Sequence, residues 1–124
     1  MIAEGLSLTF SPNGERLASA SYDNTVRLWD WRKGSSLQVL AGHNDAVQGV
    51  AFSADGQTLA SSSADQSIIL WDAASGHALR RLKGHQNMVF GLQFMPDGLL
   101  ASASSDNTIR LWDVAAQEEH TTLE

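Results

Sequence analysis

The chain contains no cysteine. That excludes disulfide staples and thiolate metal ligands and leaves nothing to tie the chain to an oxidising compartment, so a reducing cytoplasm is its expected location. No apolar stretch is long enough to cross a bilayer, and the first residues lack a signal-peptide layout, so no membrane partner is expected. Basic residues are few: 8 Lys and Arg stand against 14 Asp and Glu, for a formal net charge of -6. They are scattered rather than clustered, so a phosphate backbone would meet no basic stripe and nucleic acid is excluded as a partner. No window sustains an amphipathic helical pattern. A glycine-rich phosphate loop is missing, as is a Gly-x-Ser-x-Gly nucleophile elbow. His43, His77, His85 and His120 show no paired ligand spacing, and each Asp-rich turn offers a single carboxylate, so neither metal nor cofactor is expected.

What the 124 residues do contain is repetition. Asp23-Asn24-Thr25-Val26-Arg27-Leu28-Trp29-Asp30 returns as Asp65-Gln66-Ser67-Ile68-Ile69-Leu70-Trp71-Asp72 and again as Asp106-Asn107-Thr108-Ile109-Arg110-Leu111-Trp112-Asp113, with the tryptophans 42 and 41 positions apart. A period of that size marks stacked supersecondary units, none of which can bury its apolar faces alone. Gly42-His43 and Gly84-His85 open two of the units. Leu8-Thr9-Phe10, Val50-Ala51-Phe52 and Leu92-Gln93-Phe94 precede a shared turn, and Leu17-Ala18-Ser19, Leu59-Ala60-Ser61 and Leu100-Ala101-Ser102 follow it.

Short runs in which apolar and polar residues alternate, bounded by Gly, Pro, Asn and Asp, predict strands joined by tight hairpins. Pro12 and Pro96 preset the backbone at the second turn position, and Gly14, Gly56 and Gly98 can take positive φ without a Cβ clash. A fourth strand per unit is expected at Leu37 to Leu40, Leu79 to Leu82 and His120 to Leu123.

The Gly-His opening, the Trp-Asp close and their spacing resemble the WD-repeat family of β-propellers over essentially the whole chain. The resemblance implies an all-β fold of three four-stranded antiparallel blades, bounded at 1–41, 42–83 and 84–124, with the first blade lacking its Gly-His. It further implies a structural hydrogen-bond tetrad of His43, Ser61, Asp65 and Trp71 in the second blade, with Ser63 as an alternative serine. His85, Asp106 and Trp112 repeat it with Ser102 or Ser104, and Ser19, Asp23 and Trp29 form a partial version without a histidine. Trp only donates, a hydroxyl does both, and an imidazole held by a carboxylate has a fixed tautomer, so such a chain of bonds is satisfied end to end. Ser, His and Asp in one unit also match a nucleophile, its base and an orienting acid. Because the set recurs with the unit and comes with a tryptophan, a structural role is expected and no residue is assigned to catalysis.

Propellers contain about 4 to 8 blades, and three would form an open arc. The expected function is therefore a noncatalytic scaffold that assembles with copies of itself, head to tail, until the rotation closes. Three chains give nine blades at about 40° and two give six at about 60°, against about 51° in a seven-bladed ring; the trimer is favoured and the dimer comes next. The ends coincide with blade boundaries, which suggests an engineered or excised origin, with Leu123-Glu124 as cloning-derived residues. The alternative function is recognition of a peptide or protein on the propeller rim, where the family exposes the residues before the turn aspartates, here Tyr22, Ala64 and Ser105. Two further aromatics stand out. Trp31, at the place of Ala73 and Val114, is expected to pack over its own loop, and Phe90, at the place of Gln48, to fill space between blades.

Overall fold

The computed structural model describes residues 7–21, 23–114 and 118–123, with backbone alone for 118–121. Among the described residues twelve strands run in chain order: β1 (Leu8–Phe10), β2 (Leu17–Ala20), β3 (Thr25–Asp30), β4 (Ser35–Ala41), β5 (Val47–Phe52), β6 (Thr58–Ser63), β7 (Ser67–Asp72), β8 (Ala78–Lys83), β9 (Val89–Phe94), β10 (Leu99–Ser104), β11 (Ile109–Asp113) and β12 (Glu118–Leu123). They form three four-stranded sheets, β1 to β4, β5 to β8 and β9 to β12, each a meander of antiparallel neighbours. Among the described residues no helix is long and apolar enough to cross a membrane.

The turns follow from local chemistry. Gly14, Gly56 and Gly98 sit at φ of 74°, 73° and 90°, and their amides close the β1–β2, β5–β6 and β9–β10 turns onto Ser11, Ser53 and Met95 carbonyls. The third strand of each blade begins after an Asp-x-Thr/Ser turn. The Asp carboxylate there accepts from the backbone N–H two residues on, at 3.1 Å from Thr25, 2.9 Å from Ser67 and 2.9 Å from Thr108. The residue between is left-handed in every case, with φ of 74° at Asn24, 75° at Gln66 and 71° at Asn107.

Cross-strand register sorts each blade's side chains onto two faces. In the second blade Val50, Ser61 and Ile69 align, as do Phe52, Leu59 and Trp71; the opposite face carries Ala60 with Leu70, and Ser62 with Ile68 and Leu82. The tryptophan face packs on Ala18, Ala20, Val26, Leu28 and Leu40 of the first blade, forming one apolar cluster. The opposite face packs on Val89, Leu100 and Trp112 of the third, forming a second. The middle blade is thus covered on both sides, and each outer blade on one.

Phe90 departs from expectation. Gly91 pairs with Ala103 and Val89 with Ser104, so Phe90 is the extra residue of a bulge. A bulged residue leaves the alternation of the strand, and Phe90 is 51% exposed rather than wedged between blades.

Candidate functional site

Two sets of residues carry the chemistry: buried polar chains inside the blades, and the uncovered outer faces. In the second blade Trp71 Nε1 donates to Ser61 Oγ at 2.8 Å, Ser61 Oγ lies 2.7 Å from His43 Nε2, and His43 Nδ1 lies 3.0 Å from Asp65. With Nδ1–H donating to the carboxylate, Nε2 accepts from the serine hydroxyl, which in turn accepts from the indole. The third blade repeats the geometry: Trp112 Nε1 to Ser102 Oγ at 2.8 Å, Ser102 to His85 Nε2 at 2.7 Å, and His85 Nδ1 to Asp106 at 2.9 Å. Ser63 and Ser104 do other work. Each hydroxyl donates to carbonyls of the preceding loop and accepts from the turn aspartate's own N–H.

Gly42 and Gly84 precede the histidines for a steric reason the motif alone does not reveal. A Cβ on Gly42 would lie 3.1 Å from the Trp71 ring and 3.2 Å from Ile69, and one on Gly84 3.2 Å from the Trp112 ring. The ring occupies the space a side chain would need.

Burial sets the electrostatics. It holds the His43 imidazole below its ordinary range, against the opposing pull of Asp65. Burial also pushes the Asp65 carboxyl up, but Ser67, the Asn44 and Ser67 backbone N–H groups and His43 outweigh it and bring the group to about 2. Asp106 is likewise lowered: burial raises it, and Thr108, Gln86 N–H and His85 more than offset that. In the second blade Arg81 adds a clamp, donating to Ser67 Oγ at 2.9 Å and to the Gly42 carbonyl.

These chains have the connectivity of a Ser-His-Asp nucleophile set, yet Ser61 is 0% exposed and its hydroxyl already accepts from Trp71. No substrate carbonyl can reach it. Among the described residues no group of three His, Asp or Glu side chains is placed to hold a metal ion.

The first blade keeps part of the set. Trp29 Nε1 donates to Ser19 Oγ at 3.0 Å, and the Asp23 oxygen that faces a histidine elsewhere takes Arg27 at 3.3 Å. Thr25 foremost, with Ser21 and Arg27, lowers Asp23 to about 2 against the opposing effect of burial. Of the rim positions, Ala64 is half-buried and Ser105 exposed; Tyr22 lies outside the described residues.

The uncovered faces become legible by comparison with covered ones. On the first blade, register aligns Leu8 with Ser19 and Arg27, and Phe10 with Leu17 and Trp29. Leu8 is 49% and Phe10 57% exposed, whereas Val50, at the place of Leu8 in the second blade, is 6% exposed and Phe52 packs on the core. On the third blade Ile109, paired with Leu123, and Leu111 share the open face. Ile109 is 44% and Leu123 49% exposed; their counterparts Ile68 and Leu82 are 0% and 4%. One end of the arc therefore offers a tryptophan face and the other end the kind of face against which tryptophan faces pack inside the chain.

The sequence pattern described as "WD domain, G-beta repeat" matches residues 5–30, 34–72 and 76–113. Segments are similar to the chromatin assembly factor 1 subunit FAS2 homolog of Oryza sativa subsp. japonica, 52% identical over 46 residues, or 37% of this chain and 9% of that protein. The probable serine/threonine-protein kinase PkwA of Thermomonospora curvata is 53% identical over 45 residues, 36% of this chain and 6% of that protein. Among solved structures, the crystal structure of RRP9 WD40 repeats superposes with a TM-score of 0.91 at 32% identity, covering 94% of this chain and 37% of that one. The structure of U3-55K gives 0.91 at 31% identity, covering 94% and 38%. This chain thus spans a small part of each curated relative and under half of each solved chain.

Proposed function

The chain belongs to the WD-repeat family, and from that premise we propose that it is a noncatalytic scaffold whose three blades join those of other copies, head to tail, into a closed propeller. WD-repeat domains serve generally as protein-interaction scaffolds, so the coarse function follows from membership; the partner is the proposal. One observation carries it: Leu8, Phe10, Ile109 and Leu123 are about half exposed, whereas in the middle blade Val50, Ile68 and Leu82, the counterparts of Leu8, Ile109 and Leu123, are nearly fully buried. Full burial of such a side chain contributes about 1.5 to 3 kcal/mol. The two open faces differ from each other, so the contact is heterologous and repeats until the ring closes. Three copies, giving nine blades, are favoured over two.

The blade bounds 1–41, 42–83 and 84–124 and the structural role of the tetrads belong to the same reading: buried polar chains hold each blade rigid so that its faces stay flat enough to stack. Light scattering of the native chain should return a trimer or a dimer mass; a monomer at high micromolar concentration overturns the proposal. The contact's polarity has its own test. Phe10→Asp and Ile109→Asp should each be monomeric, and mixed they should form a 1:1 pair and nothing larger, because each retains one competent face.

Recognition of a peptide at the rim is the second reading, supported by the exposed Phe90 and the half-exposed Met88 beside it. Exposed aromatics anchor partners. Concentration-independent mass together with loss of a captured peptide in Phe90→Gln would favour it.

A further inference from the structure

Each blade junction among the described residues has a cleft beside the turns that join a blade's first and second strands. One, of about 500 Å³, is lined by Ser11, Pro12 and Arg16 of the first blade and by Asp55, Gln57 and Ala73 of the second. The next, of about 340 Å³, is lined by Ser53, Ala54 and Thr58 of the second blade and by Phe94, Pro96 and Val114 of the third. Two positions face each other across both clefts. One opens the second strand of a blade, the other follows its Trp-Asp. At the first junction they are Arg16 and Ala73, joined by a 3.0 Å bond from Nη1 to the Ala73 carbonyl; at the second they are Thr58 and Val114.

The same two positions on the open faces are Leu99 and Trp31. Leu99 pairs with Asp113, one step from Leu100 and Trp112, which puts it on the uncovered side of the third blade, as Thr58, paired with Asp72, is on the corresponding side of the second. Trp31 is 44% exposed at the edge of the first blade's uncovered side. Its Nε1 donates to the Gly14 carbonyl at 2.7 Å, Phe10 meets it edge-on at 6.3 Å, and the Arg32 guanidinium stacks 5.1 Å above the ring. The ring is therefore oriented before any partner arrives. Gly14 has nothing within 4 Å of a hypothetical Cβ, whereas its counterpart Gly56 has Pro12 of the preceding blade at 3.3 Å.

We propose that Trp31 of one copy packs against Leu99 of the next, and that this contact is the one that distinguishes the junction between copies from the junctions within a chain. The proposal rests on the self-assembly reading above. Inside the arc the pairs are Arg with Ala and Thr with Val, and only the outer pair is apolar on both sides with a large aromatic. At the place of Ala73 the cleft is instead crossed by Arg16, whose Nη1 bonds the Ala73 carbonyl. The consequence is register: copies join third blade to first and do not exchange into internal junctions.

The test uses the full chain. Sedimentation equilibrium of the native protein first establishes an assembly constant. Trp31→Ala and Leu99→Ala should each weaken assembly by about 30-fold, the size of a buried anchor's truncation, and the double variant should lose little more than either alone. Circular dichroism of each variant should match the native chain. Emission attributable to Trp31, from the difference between the native chain and Trp31→Phe, should shift to the blue as concentration rises. A native chain that never assembles overturns the underlying reading. A native chain that assembles while both variants assemble equally well, with no emission shift, leaves self-assembly standing and overturns the Trp31 contact.

Discussion

Replacing Ser61 by Ala probes the buried polar chain directly. The hydroxyl is 0% exposed and is at once acceptor for Trp71 Nε1 at 2.8 Å and partner of His43 Nε2 at 2.7 Å. Removing it leaves an indole N–H and an imidazole nitrogen in a site that water does not reach, each costing about 1 to 3 kcal/mol. The expected loss of about 2 to 6 kcal/mol is a large part of an ordinary domain's stability of about 5 to 15 kcal/mol. Ser19→Ala supplies the comparison, since Ser19 accepts from Trp29 at 3.0 Å, a half-buried ring, with no histidine attached. It should cost about 1 kcal/mol, the net worth of one bond whose partner can turn to water. Urea unfolding followed by circular dichroism measures both, at one fixed protein concentration because assembly shifts apparent stability. If Ser61→Ala is no more destabilising than Ser19→Ala, the buried chain does not stabilise the blade in the way argued here.

Acid should destabilise the protein in two stages. The His43 imidazole is held below its ordinary value, chiefly by burial, so as pH falls through about 6.5 the unfolded chain takes up a proton that the native chain refuses, and stability drops. Asp65, at about 2 against an ordinary 3.8, adds a second loss between those values. His43→Gln should flatten the first stage by up to about 1.4 kcal/mol per pH unit in urea titrations from pH 8 to 5; an unchanged slope refutes the assignment. Gly42→Ala should lower the melting temperature, at a cost of about 1 to 3 kcal/mol, because its Cβ would press on Trp71 and Ile69. Gln66→Asn should raise stability by about 0.5 kcal/mol, because Gln66 sits at φ of 75° and asparagine tolerates that region better; a loss on urea unfolding would show that the Gln66 side chain has a role of its own.

Much of the fold was legible because its signals are local. The alternation of Val26 and Leu28 with Thr25 and Arg27 marks which residues share a face, and Gly14, Gly56 and Gly98 mark the turns through positive φ. The left-handed conformation at Gln66 was hidden by the residue type, although its alignment with Asn24 and Asn107 carried the signal. Phe90 was misread because a bulge leaves no mark in the hydrophobic pattern: Phe90 and Val89 look equally suited to the core, and only the register sends one inward and the other out. Ser61 and Ser63 have the same parity along β6, so strand periodicity could not choose between them. The choice follows from the approach of His43 and Trp71 in space.

The sequence by itself determined the unit: a recurrent strand, turn and Trp-Asp pattern that makes a four-stranded blade wherever it occurs, since hairpin turns and cross-strand pairing are written within each repeat. Only the tertiary structure decided which blade faces are covered. Val50 and Leu8, or Ile68 and Ile109, are interchangeable as letters in a repeat, but burial belongs to the neighbour across the sheet, and the first and third blades each have a neighbour on one side.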